Sequence, residues 1–306
     1  MLQQTRVAAV LDYYNHFMTE LPDVQSLASC EEEHLMKLWQ GLGYYSRARN
    51  LQKAAKRICT DYHGEFPSNY SAIRSLPGIG DYTAGAISSI AFGLPEPAVD
   101  GNVLRVVTRL LCDYSDITKP DTKRSIQTQL KEVMPLQSAG AFNQALMELG
   151  ALVCLPNGAP LCDQCPLSHL CLAFQQEKTA DLPVKPQKKA RRIEQRTVFL
   201  IFHDHKIALR RRPEKGLLAG LWEPPHELGT DYPFDLWGIT PRSLTEGGKG
   251  KHIFTHIEWH MTGVVVEAAT DTLPDGWVWA TRQELQERYP IPNAFSSFQS
   301  KMEAGL

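Results

Sequence analysis

Four cysteines, Cys154, Cys162, Cys165 and Cys171, fall within one short window, CLPNGAPLCDQCPLSHLC. The last three have two and five residues between them, so a compact loop can turn their thiolates toward one centre. Four soft donors suit zinc or an iron–sulfur cluster, and the spacing is compatible with either. A disulfide or simple burial would account for isolated cysteines, but a CxxC beside two more is the pattern of a metal loop. Two further segments carry chemistry. Leu76-Pro77-Gly78-Ile79-Gly80, followed by Asp81-Tyr82-Thr83-Ala84-Gly85, reads as a helix–hairpin–helix. Gly78 and Gly80 permit a tight turn, and the free amides of the next helix suit a phosphate. Such contacts position a nucleic-acid backbone without reading its sequence. Asp100 precedes Gly101 and a helix whose apolar face is Val103, Val106, Val107, Leu110 and Leu111. By itself it reads as a helix N-cap.

The elements that must position these groups change period along the chain. Up to about residue 176 the pattern is helical, predicting an all-α domain (1–176) of nine or ten helices that ends at the cysteine loop (154–171). Val7, Val10, Leu11, Tyr14 and Met18 are expected to form the buried face of the first helix, and Phe142, Leu146, Leu149 and Val153 that of a later one. Residues 177–195, containing LPVKPQKKARRIEQR, read as a basic linker suited either to lying near a polyanion or to being a solvated tether. From 196 the period is that of strands: a hairpin around His203-Asp204-His205, then strands over Phe254–Val266 and Gly276–Ala280, with helices starting near Thr281 and Phe295. This second domain (196–306) is α+β.

With 306 residues the chain has room for two cores. Its formal charge of −2 lends no support to a polyanion partner, so that reading rests on local motifs. The amino terminus is amphipathic, unlike a signal peptide, and no apolar stretch approaches a membrane span. Together with seven cysteines, these features predict a cytoplasmic protein in a reducing compartment, nucleoid-associated if bacterial, and away from membranes.

The hairpin, Asp100 and the cysteine loop, together with Leu2-Gln3-Gln4-Thr5, Gly41-Leu42-Gly43-Tyr44-Tyr45-Ser46-Arg47-Ala48-Arg49 and Ala141-Phe142-Asn143-Gln144, resemble the endonuclease III superfamily of DNA glycosylases. Within it, the adenine glycosylase (MutY) branch is the more similar, over essentially the whole chain. The resemblance implies a [4Fe–4S] cluster rather than zinc. It implies a substrate of double-stranded DNA with adenine mispaired with 8-oxoguanine or guanine, and a monomeric enzyme of base-excision repair. Asp100 would stabilise or trap the sugar cation once the adenine is extruded, Asn102 would orient it and Tyr82 would donate to the same network. Where bifunctional relatives carry a Schiff-base lysine this chain has Tyr82, implying a monofunctional N-glycosidase. Gln144 would contact the adenine, Gln4 and Tyr44 the stack, Thr5 and Leu42 the 8-oxoguanine, and Arg47 and Arg49 phosphates.

The second domain resembles the family's Nudix-like lesion-recognition module through Leu217–Pro225 and Phe254-Thr255-His256. Thr255 keeps the hydroxyl of the family's usual serine. A Nudix hydrolase needs a glutamate-rich REUxEE box, which this sequence lacks, so recognition is expected there. His252, His256 and His260 resemble a metal row, but on a strand such steps are about 13 Å apart and form no site.

The chain departs from the family twice. Cys154 and Cys162 have one residue more between them than is usual. The family's general-acid glutamate lies just before the Met-Leu-Gln-Gln-Thr segment, and these residues begin at that methionine. As it stands the chain is expected to bind mismatched DNA better than it turns it over, since a lost general acid costs roughly 10²–10⁴-fold. Its rivals are a non-catalytic lesion-binding protein and an endonuclease III-type glycosylase/lyase on oxidised pyrimidines.

Overall fold

The structure, a computed structural model, describes residues 1–2, 5, 7–186 and 190–306. It divides into two compact units, Arg57–Lys188 and a second made of Met1–Lys56 with Lys189–Leu306. Among the described residues no helix is long and apolar enough to cross a membrane.

Four helices open the chain: α1 (Val7–Glu20), α2 (Val24–Ser29), α3 (Glu32–Leu38) and α4 (Ser46–Asp61). Asp23 starts α2 with a capping box, accepting from the Ser26 amide while the Ser26 hydroxyl accepts from the Asp23 amide. The expected buried face of α1 is corrected. Val10 is buried, but Val7, Leu11, Tyr14 and Met18 are exposed, and Phe17 is the other buried residue. The stripe Val10, Tyr13, Phe17 and Leu21 faces Leu35 and Trp39 instead, with Phe17 edge-on to Trp39 at 6.1 Å. Both stripes have helical spacing, and the position of the partner helix decided between them.

The unit Arg57–Lys188 holds α5 (Tyr70–Ser75), α6 (Asp81–Phe92), α7 (Gly101–Leu110), α8 (Pro120–Val133), α9 (Ala139–Glu148) and α10 (Leu172–Gln175). Val103, Leu104 and Val107 of α7 pack on Ile126 and Leu130 of α8, with Phe142, Leu146 and Met147 of α9 closing the cluster. The α9 axis continues into a π-helical turn, Leu149–Val153, and then into the cysteine loop. Of the expected α7 face, Leu111 lies beyond the helix end and is 45 % exposed.

In the other unit the sheet order is β3-β2-β1-β6-β5, with β4 on β1 and β7 on β2. The strands are β1 (Arg192–His203), β2 (Lys206–Arg211), β3 (Trp222–Glu223), β4 (His226–Leu228), β5 (Pro241–Ile253), β6 (Ile257–Ala268) and β7 (Trp277–Ala280). The strand β1 thus begins inside the expected linker. It runs parallel to β6 and turns through Asp204 and His205, both at positive φ, into antiparallel β2. Its run Thr197–Phe202 is buried throughout, because Val198, Leu200 and Phe202 face Phe295, Phe298 and Met302 while Phe199 and Ile201 face Phe234. Full burial on both faces replaces alternation with a continuous apolar run.

The strand expected over Phe254–Val266 is also corrected. Phe254, Thr255 and His256 form the turn between β5 and β6. His252 and His260 therefore lie on adjacent strands, opposite Trp259 and Lys251, and the spacing argument along a single strand does not apply to them.

A buried ionic cluster joins β1, β2, β3 and β4. Glu223 and His226, each 1 % exposed, are bonded through Glu223 Oε2 and His226 Nε2 at 3.0 Å. Glu223 also accepts from Arg210 Nε at 3.0 Å and Arg212 Nη1 at 2.7 Å, while Arg196 Nη1 faces His226 Nδ1 at 2.9 Å. Burial acts to raise the Glu223 carboxyl, but the His226 hydrogen bond and the two guanidiniums outweigh it and hold it near 2. Burial, opposed by Glu223 and aided by Arg210 and Arg196, lowers the His226 imidazole. A neutral imidazole with its proton on Nε2 donates to Glu223 and accepts from Arg196, so the guanidiniums supply the positive charge that Glu223 needs.

The sign of the linkage follows. A depressed His226 contributes stability that is lost as pH falls below about 6.5, the unfolded value, and a depressed Glu223 extends the loss toward acid pH. All six tryptophans lie in this unit, so tryptophan fluorescence reports its melting. The melting temperature is expected to fall from pH 6.5 to 5 in the wild type. His226→Gln keeps a donor to Glu223 and an acceptor for Arg196 without a titrating proton, and should flatten that slope. Equal slopes would exclude His226 as its source.

Candidate active site

Asp100 is placed by the start of α7. Its Oδ1 accepts from the backbone amides of Asn102 and Val103, both at 2.8 Å, and its Oδ2 accepts from Asn102 Nδ2 at 2.9 Å. The N-cap role read from the sequence is thus real, and it fixes the carboxylate's direction. The segment leading into it is held by Asn143 of α9, 1 % exposed. Asn143 Oδ1 accepts from the Ala98 amide at 3.0 Å, and Nδ2 donates to Ser89 Oγ at 2.7 Å and Glu96 O at 2.9 Å.

Behind Asn102 stands Arg105, 6 % exposed. Its Nη2 donates to Asn102 Oδ1 at 2.9 Å and to Gly150 O at 2.6 Å, and its Nε donates to Cys154 O at 2.7 Å. Burial, the largest influence, lowers the guanidinium from its usual range. A hydrogen-bonded path therefore runs from the Asp100 carboxylate through Asn102 and Arg105 to the backbone that leads into the cysteine loop. Gly150 makes the close approach possible, since a Cβ there would sit 2.5 Å from Asn102 Cβ. Arg105 lies opposite the apolar face of α7, where a cation reads as solvated, so the sequence did not single it out. Gly150 carried no local signal, because it serves a neighbour distant in sequence.

Tyr82, in the first turn of α6, is 37 % exposed and donates from its hydroxyl to Met147 Sδ at 3.6 Å, not to Asp100. Burial raises its phenol, and the nearby Asp100 charge adds to the effect. Gln144 is exposed and donates to Gly140 O at 3.2 Å. At the hairpin, Gly78 takes φ 79°, which only glycine adopts without strain, and Gly80 caps α6 without a side chain. A Cβ at Gly80 would meet nothing within 4 Å, so neither space nor conformation demands glycine there. Arg74 Nη1 donates to Ile79 O at 2.9 Å and braces the turn.

Cys154, Cys162, Cys165 and Cys171 line one cavity whose remaining wall is mostly apolar, including Val106, Leu149, Leu161 and Phe174. Burial pushes the Cys162 thiol up, and the charges of Cys171, Cys154 and Cys165 push it further. Arg109 Nη1 donates to Cys154 Sγ at 3.3 Å. Among the described residues no three His, Cys, Asp or Glu side chains converge as a single metal ion requires.

The remaining expected residues belong to the unit containing the sheet. Gln4 lies outside the described residues. Thr5 donates its amide to Leu2 O at 3.4 Å. Leu42 is buried in the helical core at 7 % exposure, whereas Tyr44 is 55 % exposed. Arg47 donates to the carbonyls of Met1, Leu42 and Gly43, and Arg49 pairs with Glu32, so both cations have intramolecular partners. Phe254 packs edge-on against Trp259 at 4.8 Å, and Thr255 and His256 are exposed on the turn.

Residues 1–135 match the family model of the HhH-GPD superfamily base excision DNA repair proteins, and residues 197–300 match that of the NUDIX domain. The adenine DNA glycosylase of Mus musculus is 34 % identical over 93 % of this chain and 67 % of its own length. That of Schizosaccharomyces pombe is 32 % identical over 94 % of this chain and 75 % of its own. The solved structure of a thermostable thymine-DNA glycosylase superposes with a TM-score of 0.50 at 27 % identity, covering 57 % of this chain and 80 % of that one. A helical HhH-GPD part followed by a Nudix-like part with a mixed sheet is thus the fold, and the chain belongs to the adenine DNA glycosylase family of base-excision repair proteins.

Proposed function

We propose that this chain is a monofunctional adenine DNA glycosylase that excises adenine paired with 8-oxoguanine or guanine in duplex DNA. The observation that carries the reading is the Asp100 carboxylate, both of whose oxygens are aimed by α7 and Asn102. Breaking the C1′–N9 bond of an extruded adenine nucleotide leaves positive charge on the sugar. A fixed carboxylate stabilises that charge without reorganising, which is where electrostatic catalysis is strongest. Water then supplies the hydroxyl at C1′, and its proton leaves with the base. Asn102 holds the carboxylate, and Arg105 holds Asn102. Tyr82 offers no amine for a Schiff base, which supports hydrolysis without a lyase step. The bare amide edge at Gly80 suits a phosphate, because a backbone can approach it without meeting a side chain. The exposed Thr255 and His256 offer a hydroxyl and an imidazole for lesion recognition.

The cysteine loop fits a [4Fe–4S] cluster. Four thiols line one mostly apolar cavity, and four cysteine sulfurs are the donor set such a cluster takes. Cys154, Cys162, Cys165 and Cys171 would hold it, and it would supply the iron–thiolate bonds that fasten residues 154–171. Arg109 would donate to the Cys154 sulfur.

Three outcomes are expected. Asp100→Asn should lower single-turnover adenine excision by at least about 10²-fold while leaving binding of the mispaired duplex largely intact; an unchanged rate would refute the assignment. Gly150→Ala should displace Asn102 and lower excision about tenfold or more, as misplacement at a site does, with no equivalent loss of DNA affinity. Purified protein should carry about four irons per chain, and stoichiometric zinc without iron would overturn the cluster.

A further inference from the structure

The loop Gly41–Tyr45 is assembled from two distant parts of the chain within one unit. Gly41 takes φ 102°, and a Cβ there would lie 2.0 Å from the Tyr13 hydroxyl oxygen. Tyr44 takes φ 47°, a left-handed conformation that bulky side chains avoid, yet its ring is 55 % exposed. A solvent-facing aromatic in such a backbone state persists where its surroundings over-determine it. Three consecutive carbonyls are held by side chains. Gly43 O accepts from Trp39 Nε1 at 3.1 Å, Leu42 O from Arg47 Nη2 at 3.2 Å, and Gly41 O from Asn293 Nδ2 at 3.0 Å. The first two donors are local, and the third is 252 residues away in sequence.

Asn293 does not act alone. Leu221, which is fully buried, lies in the same apolar cluster as Leu42 and Trp39. Lys37 Nζ donates to Leu285 O at 2.9 Å, and Trp222 Nε1 to Glu33 Oε1 at 3.4 Å, fastening α3 to the same C-terminal stretch. The Arg47 guanidinium lies 5.6 Å from the Tyr44 ring centroid and backs it. Without the Asn293 donor, the Gly41 carbonyl loses its side-chain partner while those of Leu42 and Gly43 keep theirs.

We propose that Asn293 and Leu221 are positioning residues that set the attitude of Tyr44, so that preference for the mispaired duplex depends on a donor in the C-terminal part of the chain. This rests on the proposed adenine glycosylase function and on the resemblance, which implies that Tyr44 meets the base stack. The Asn293 amide holds the Gly41 carbonyl, and Leu221 belongs to the apolar cluster that buries the Leu42 side chain. The two anchors flank the peptide that sets where Tyr44 points.

Asn293→Asp tests the proposal in the chain of residues 1–306. Aspartate matches asparagine in size but turns an acceptor toward the Gly41 carbonyl, and position 293 is exposed, so the core is left as it was. The Leu42 amide, which donates to Trp39 O at 3.1 Å, should exchange with solvent faster. The ratio of affinities for a duplex with adenine opposite 8-oxoguanine and the same duplex with adenine opposite thymine should fall about 3–10-fold, the worth of one hydrogen bond. Melting followed by tryptophan fluorescence should change little. Unaltered exchange and an unaltered ratio would overturn the clamp. Tyr44→Ala separates the two levels. If it erases the preference while Asn293→Asp keeps it, the clamp fails and the loop's role stands. If Tyr44→Ala leaves the preference intact, the proposal falls through the reading on which it rests, even where Asn293→Asp speeds exchange. With both effects present, adding Asn293→Asp to Tyr44→Ala should cost nothing further.

Discussion

The buried guanidinium of Arg105 is the constraint on which the candidate site depends. It spans the gap between the first turn of α7, where Asp100 and Asn102 sit, and the backbone of Gly150 and Cys154. A buried cation is costly unless its donors are satisfied, so the carbonyls that receive it must stay where they are. That requirement couples three otherwise separate features: the cap that aims a carboxylate, the π-helical turn after α9, and the entry to the cysteine loop. Any group that fastens the loop also steadies Arg105, and through it the carboxylate.

The second unit solves a different problem with similar means. Its central pair is β1 and β6, and the β1 run Thr197–Phe202 is buried on both faces. Beside it, Glu223 and His226 are buried among Arg196, Arg210 and Arg212. Such a cluster contributes little as net attraction, but removing one member costs about 3–5 kcal/mol, so it enforces one register among four strands. The turn Phe254–His256 joins β5 to β6 at the edge of this frame.

How much of this was legible varied with the range of the interaction. Asp100 as a cap, Gly78 of the hairpin and the β1–β2 turn depend on neighbours a few residues away, and they stand where the pattern placed them. The buried face of α1 and the turn at Phe254–His256 were misread. In the first case two stripes of helical spacing competed, and the position of α3 chose the one containing Phe17. In the second, residues that read as one strand were the end of β5, a turn and the start of β6. Leu42, Arg47 and Arg49 look like surface contacts in a line of text, yet each has an intramolecular partner supplied by folding.

The amino-acid sequence alone determined the residue types available for chemistry: a carboxylate before a helix, a tyrosine after a glycine hairpin, and four thiols in one window. Their identity and local spacing survive any arrangement of the rest, because caps, turns and short loops close within a few residues. Only the tertiary structure decided what each is tied to. Arg105 reaches Gly150 and Cys154, Asn143 holds the approach to Asp100, and Asn293 grips Gly41. These bonds join residues far apart in the chain, and no local pattern encodes them, because their geometry exists only once the cores have closed.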